Sequence, residues 1–382
     1  ALTVVYNVTP VSASGCWGDA LNVTLTINPE PAGINAIESA VCSDVSFSFN
    51  PQSKISNAVP STFTWAASYE PGITGGAATG SGLVAGSLTN ITDEILYAAY
   101  TITPTTSAGS CQGNTFTITV PIRPEPVGMI STKTVCSDVA VDYNLINNVA
   151  IQGNNVGSTF SWIAASNGDV SGESLTAQSG GLINNILNNI TNVSQSVVYT
   201  VTPTSVSGCV GDPFLVTITV DPEPVGMASS VVICSDLPVS YDLQNNVNAS
   251  GNNLAANFSW NAGANGNVSG ESTLTRNGNI IDDILSNLTN VTQNILYTIN
   301  PTTQGTGCIG NPFTINVAVN PRVKISAGPD LAMCEDTPTI ALQGSVNYAP
   351  NGVLWSGGAG AYSSTNDPTS DYSFSNPGEV NT

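Results

Sequence analysis

Asn257-Phe258-Ser259-Trp260, then Ile295-Leu296-Tyr297-Thr298-Ile299-Asn300-Pro301 and Pro312-Phe313-Thr314-Ile315-Asn316-Val317-Ala318-Val319, carry the fold. Apolar residues alternate with polar ones in each run, with Phe258 and Trp260 on one face, which is the period of a half-buried strand. The last two runs flank Gly307-Cys308-Ile309-Gly310-Asn311, a hairpin signal with glycine where φ must be positive. Upstream, Val231-Val232-Ile233 predicts a first strand, Ser235-Asp236 its turn, and Val239 to Leu243 a second strand followed by an Asn/Gly loop. The Asn/Gly/Ser-rich stretch 261–279 predicts a loop or irregular edge. Ile280 to Leu288 has apolar residues at i, i+1, i+4, i+5 and i+8, a spacing open to helix or strand. The Ile295 strand is expected to end at Pro301. Six or seven short strands around one core tryptophan predict an all-β, antiparallel sandwich of immunoglobulin type.

The pattern repeats. Trp65, Trp162, Trp260 and Trp355 stand 97, 98 and 95 residues apart. Val-Cys-Ser-Asp or a variant falls at Cys42, Cys136, Cys234 and Cys334, and Gly-Cys-x-Gly or close to it at Cys16, Cys111, Cys209 and Cys308. Self-similarity at one domain-sized period predicts a tandem array set end to end. The expected division is a partial module at 1–28, full modules at 29–122, 123–220 and 221–320, and a partial module at 321–382. Pro29-Glu30-Pro31, Pro124-Glu125-Pro126 and Pro222-Glu223-Pro224, with a looser form at Pro321, predict stiff joints, because proline fixes φ and biases its predecessor away from helix. Starting and stopping in mid-module, the chain reads as a window from a longer protein.

Tyr199-Thr-Val-Thr-Pro-Thr-Ser, Gly208-Cys209-Val210-Gly211-Asp212-Pro213-Phe214 and Thr217-Ile-Thr-Val-Asp-Pro-Glu-Pro resemble the PKD-like domains of giant surface proteins from the Bacteroidetes. Residues 321–382, with Ala327-Gly328-Pro329-Asp330, Cys334-Glu335-Asp336 and Trp355-Ser356-Gly357-Gly358, resemble a sister subtype. Arrays of this kind occur in gliding-motility adhesins exported by the type IX secretion system. The resemblance therefore implies a β-sandwich, surface display and a spacer or adhesive duty, and it brings no catalytic residue.

Composition narrows the function classes. Charged residues are 8% of the chain, about a third of the usual share, and six cations face 26 acids for a net charge of −20. That balance excludes nucleic acid and anionic membrane surfaces as partners, since both require cationic patches. No apolar run is long enough for a transmembrane helix, so no membrane insertion is expected here. Eight cysteines in two repeating positions point to disulfides and an oxidising, extracellular compartment. With no histidine and no CxxC pair, neither a zinc site nor a nucleophilic cysteine is supported.

Three disulfide frameworks fit the spacing. Pairing across a joint gives Cys111–Cys136 and Cys209–Cys234. Pairing within modules gives Cys42–Cys111, Cys136–Cys209 and Cys234–Cys308. Pairing each module with the next gives Cys42–Cys209 and Cys136–Cys308. Strand direction favours the last, because the cysteine before the second strand lies at a sandwich's exit end and the hairpin cysteine at its entry end. Within one module these ends are roughly 20–25 Å apart at about 3.3 Å per residue, while a disulfide needs Cα atoms within about 7 Å. Cys16, Cys111, Cys234 and Cys334 would then pair beyond this stretch. The intramodular pattern stays open if the first strand bends or crosses.

Core packing is the favoured role for Trp65, Trp162, Trp260 and Trp355, with sugar stacking the rival. Trp17, beside a hairpin cysteine, reads as a joint contact, with an exposed ligand contact the alternative. Asp44, Asp138, Asp236 and Asp336 recur, and turn hydrogen bonds explain a lone Asp after Cys better than a metal does. The pairs Asp93-Glu94 and Asp282-Asp283 do not recur, so no cofactor is expected, with calcium at a joint the one candidate cation. No pair of acids suggests a glycosidase cleft. Asn22, Asn90, Asn189, Asn257 and Asn287 head Asn-x-Ser/Thr triplets, and the Asn90, Asn189 and Asn287 copies suit a turn before the penultimate strand equally well. The expected function is a non-enzymatic, disulfide-stiffened stalk or fibre segment of a bacterial surface adhesin, partnered by its neighbouring modules. The rivals are ligand- or carbohydrate-binding modules and the spacer of a secreted enzyme.

Overall fold

Alternating Ile, Val, Tyr and Thr build the longest strands, because β-branched and aromatic side chains pack well on a pleated, half-buried surface. The computed structural model describes residues 1–107, 111–250, 253–332, 339–347, 353–358 and 360–374. In the Trp260 repeat, Gln293–Thr303 and Phe313–Asn320 pair antiparallel from Gln293↔Val319 to Ile299↔Phe313, and both bury alternate residues. Ala256–Ala262 pairs with the other edge of Gln293–Thr303, and Arg276–Asn277 lies beyond it. Ser229–Cys234 closes the far side of this five-stranded sheet. A second layer is made of short ladders, Leu237–Pro238 with Ile284–Asn287 and Val268–Ser269, and Tyr241–Asp242 with Ile280–Ile281.

Between the layers Trp260 meets Tyr297 edge-on at 5.8 Å. Trp65 with Tyr100 and Trp162 with Tyr199 repeat the contact at 5.5 and 5.7 Å. The main sheets of those repeats have the same plan. One runs from Val41–Cys42 and Ala36–Ile37 through Phe116–Arg123, Leu96–Thr106 and Ser61–Tyr69 to Thr79–Ser81. The other runs through Ser131–Cys136, Phe214–Asp221, Gln195–Ser205, Ser158–Ala164 and Gln178–Ser179. The chain is thus all-β, a tandem series of immunoglobulin-like sandwiches.

The chain divides into two compact units. One comprises Ala1–Val135, Val139–Leu187 and Ser196–Thr219, and opens with an exposed two-stranded hairpin, Leu2–Val8 with Leu21–Ile27. The other comprises Cys136–Asp138, Asn188–Gln195 and Val220–Thr382. It holds the Trp260 sandwich and the short ladders Lys324–Ser326 with Ser345–Asn347, and Thr339–Ala341 and Ala361–Tyr362 with Asp371–Ser373.

Three local expectations are corrected and one open span is settled. The sandwich is not wholly antiparallel, because Ser229–Cys234 runs parallel to Phe313–Asn320, as Val41–Cys42 does to Ile122 and Arg123. Both strands of such a pair start at a module's entry end and leave at its exit end, so side-by-side pairing must be parallel. The penultimate strand does not stop at proline, since Gln293–Thr303 runs through Pro301. The Pro301 carbonyl accepts the Gly310 N–H at 3.0 Å on the hairpin side, where Phe313–Asn320 has not yet begun and a missing N–H costs no ladder bond. The span Val239 to Leu243 is not one strand, and the loop after it contains the helix Leu243–Ala249. Asp242 caps that helix by accepting the Asn245 N–H at 3.0 Å, while Leu243 and Val247, one turn apart, are buried. The Ile280–Leu288 span, open at the sequence level, contributes strands Ile280–Ile281 and Ile284–Asn287.

Candidate functional site

The chemistry that recurs in this chain is gathered where one sandwich ends. In the Trp65, Trp162 and Trp260 repeats the strand carrying the Val-Cys-Ser-Asp cysteine turns at the Ser-Asp pair, and the Asp takes a left-handed backbone, with φ 58° at Asp44, 59° at Asp138 and 68° at Asp236. Asp and Asn tolerate this region better than other side chains. The serine N–H is held by the last strand: Ser43 donates to Arg123 O at 2.8 Å, Ser137 to Asp221 O at 2.8 Å and Ser235 to Asn320 O at 2.9 Å. The serine hydroxyl in turn accepts the backbone N–H of Asn90, Asn189 or Asn287 at 2.9–3.0 Å.

Those asparagines act as staples. Asn189 Nδ2 donates to the Val220 and Val193 carbonyls at 2.9 and 2.8 Å, and its Oδ1 accepts from the Thr191 N–H and hydroxyl at 2.9 and 2.8 Å. Asn90 and Asn287 make the same set. Every polar atom of the side chain is used, and Asn90 and Asn189 are buried. The expected turn is therefore a turn with its own clamp, and burial argues against these two positions as glycan acceptors.

The hairpin tip supplies the other half. Cys209 is wholly buried; its N–H donates to Ser205 Oγ at 3.0 Å and its carbonyl accepts the Ser205 N–H at 2.8 Å. Gly211 packs so closely that an added Cβ would stand 2.0 Å from the Pro126 carbonyl oxygen, and Gly310 has the same relation to Pro224. Each tip thus lies on the Pro-Glu-Pro segment that enters its own module. In the first unit Cys42 is joined to Cys209, and in the second Cys136 is joined to Cys308. Each bridge links a Val-Cys-Ser-Asp turn to the hairpin of the following repeat.

Beside each bridge stands a charged position. Glu125 lies within hydrogen-bonding reach of Asp44, and burial, that contact and the charges of Asp44 and Asp212 push its carboxyl up to about 7. Glu223, 8% exposed, is pushed up to about 7 by burial and by Asp138. At the equivalent place in the third repeat Arg322 Nη1 lies 3.2 Å from Asp236 Oδ2. The Asp236 carboxyl is held below the usual range by the Ser286 hydroxyl and by Arg322.

The family model of the PKD-like domain matches residues 1–31, 39–126, 133–224 and 231–323. The chain belongs to the PKD-like domain family. No curated protein matches it significantly. Among solved structures it is similar to the titin domains I67–I69, at 12% identity and TM-score 0.30 over 76% of this chain and 97% of that one. The human desmocollin-1 ectodomain matches at 12% identity and TM-score 0.21 over 97% and 79%. BT4661, a SusE-like surface-located polysaccharide-binding protein of Bacteroides thetaiotaomicron, matches at 11% and 0.25 over 83% and 51%.

The other singled-out residues fall as follows. Trp65, Trp162 and Trp260 are buried on their strands. Trp355 departs from them: it is half-buried, lies outside any strand, donates its indole N–H to Asp367 O at 2.8 Å and stacks on Tyr362 at 6.4 Å. Trp17 is 76% exposed in the loop of the Leu2–Ile27 hairpin, where it is bridged to Val11. Cys16 and Cys234 are exposed thiols and Cys111 is half-buried. Cys334, Glu335 and Asp336 lie outside the described residues. Asp93 Oδ2 accepts from Asn155 Nδ2 at 3.4 Å. Asp282 is exposed, while Asp283 is buried, accepting from Ser272, Arg276 and Tyr297. Among the described residues no group of three metal-ligating side chains has the geometry for a metal ion, and none of the helices is long and apolar enough to cross a membrane.

Sequence reasoning missed the role of Glu125, Glu223 and Arg322. The only signal was positional: the residue after the first proline of each joint is charged in every copy.

Proposed function

We propose that this chain is a non-enzymatic structural or adhesive stalk segment of a long bacterial cell-surface protein, extending it or forming a fibre for attachment or gliding. The division into modules 29–122, 123–220 and 221–320, with partial modules at 1–28 and 321–382, belongs to this reading. One observation carries it: Cys42–Cys209 and Cys136–Cys308 bind successive repeats covalently, through segments that are themselves hydrogen-bonded into the main sheets. A pull applied along the chain therefore passes between main sheets through covalent bonds. Disulfides of this kind persist in oxidising compartments, which supports an extracellular location. Few charges and abundant Asn, Thr, Ser and Gly give a surface whose hydration changes little with salt or pH. With Trp65, Trp162 and Trp260 in cores, these rings are not open platforms for stacking sugars.

The test is in cells. Antibodies against residues 29–320 should label intact producing cells, and an in-frame deletion of that span should shorten surface projections and weaken attachment under flow. Projections of unchanged length with normal attachment would overturn the stalk reading.

A further inference from the structure

The residue after the first joint proline is Glu125, Glu223 or Arg322 in three successive repeats, and each faces the left-handed Asp of the Cys-Ser-Asp turn. In the third copy opposite charges meet, Arg322 Nη1 to Asp236 Oδ2 at 3.2 Å. In the other two a carboxyl occupies the position of the guanidinium. Prolines on both sides of Glu125 and Glu223 limit how far the backbone can swing away. The following hairpin covers the site: Thr303 Oγ1 donates to the Pro222 carbonyl at 3.2 Å, and Gly310 packs on Pro224. The charged groups facing Glu125 are Asp44 and Asp212, and the one facing Glu223 is Asp138. Arg123, the nearest cation in sequence, turns its guanidinium to the Ser207 carbonyl at 3.4 Å.

A half-buried or buried Glu carboxyl, Glu125 or Glu223, within hydrogen-bonding reach of an exposed Asp carboxylate cannot carry its own charge cheaply, but one shared proton turns repulsion into an O–H···O⁻ hydrogen bond. We propose that Glu125–Asp44 and Glu223–Asp138 are proton-binding latches at the two disulfide-linked joints, closed when each pair holds one proton and loosened when it leaves, while Arg322–Asp236 latches the third copy at any physiological pH. Both glutamates are pushed up to about 7, against an ordinary value of 4.5. The folded pair therefore binds its proton more tightly than the unfolded chain does. Its stabilisation is complete below about 4.5 and is lost as pH rises through about 7. A proton here acts on the joint whatever the array is used for.

Hydrogen exchange of the 382-residue chain, corrected for intrinsic rates, tests this at peptides covering 41–46, 135–140 and 233–238. Protection at the first two should fall about tenfold from pH 6 to pH 8, the change in proton occupancy across one unit on either side of 7, and stay flat at the third. Glu125→Gln with Glu223→Gln, which keeps a donor facing each Asp, should abolish the dependence. Glu223→Arg should copy the third joint, and Arg322→Glu should create a pH-dependent step at 233–238. Flat protection in the unmodified chain overturns the proposal. So does pH dependence that survives in the Gln variants, or protection that follows added 1 mM calcium chloride instead of pH.

Discussion

Asn189 donates its side-chain amide to the Val220 carbonyl at 2.9 Å, stitching the turn before the penultimate strand to the end of the last strand. The same side chain also satisfies Val193 O and Thr191. Removing it leaves the buried Val220 carbonyl without its donor. Asn189→Ala should cost about 1–3 kcal/mol, the cost of one unsatisfied buried group. Asn22→Ala, on an exposed hairpin strand, should stay within about 0.5 kcal/mol. Denaturant unfolding of both variants measures the difference.

The core tyrosines should respond unequally to loss of the hydroxyl. Tyr297 Oη donates to Asp283 Oδ2 at 2.8 Å, whereas the buried Tyr199 hydroxyl has no hydrogen-bond partner among the described residues. Tyr297→Phe should therefore destabilise by about 1–3 kcal/mol, because it deprives a buried carboxylate of a donor. Tyr199→Phe should be neutral or stabilising. Thermal unfolding of the two variants, read against the unmodified chain, decides it.

How much of this was legible beforehand depended on range. Trp65, Trp162 and Trp260 could be placed from sequence because period-two alternation is a local signal and their neighbours keep it. The helix Leu243–Ala249 was hidden by its asparagines, which mimic a loop; only the Asp242 cap and the Leu243 and Val247 pair spoke for it. The parallel pairing of Ser229–Cys234 is a choice between distant partners that no local pattern records. Glu223 was illegible as a site for the same reason: Pro-Glu-Pro reads as a stiff linker until the fold brings Asp138 against it.

Exchanging one hydrogen for a methyl group at a hairpin tip should be felt at the joint. Gly211→Ala places a Cβ 2.0 Å from the Pro126 carbonyl oxygen, which is backbone and cannot swing aside. Overpacking of this kind costs about 1–3 kcal/mol. The variant should melt earlier and form the Cys42–Cys209 bridge more slowly during oxidative refolding, followed by peptide mapping of timed samples. Gly208→Ala tests the other glycine of the tip, where φ is +87° and the space is open; its cost comes from backbone strain alone.

Tryptophan truncation separates core from surface. Trp260→Ala should cost about 3–5 kcal/mol through the cavity it leaves. Trp17→Ala should change stability by no more than about 0.5 kcal/mol. Fluorescence-monitored unfolding is unsuitable where the probe itself is removed, so circular dichroism is the measurement.

The two bridges span overlapping intervals, 42 to 209 and 136 to 308. A single peptide bond hydrolysed anywhere from residue 43 to residue 307 falls inside at least one closed loop, and the severed pieces stay attached through sulfur. Wherever a protease reaches the chain, this interlocking makes one nick survivable: the two ends are parted only by a second lesion, in a bridge or elsewhere in the backbone.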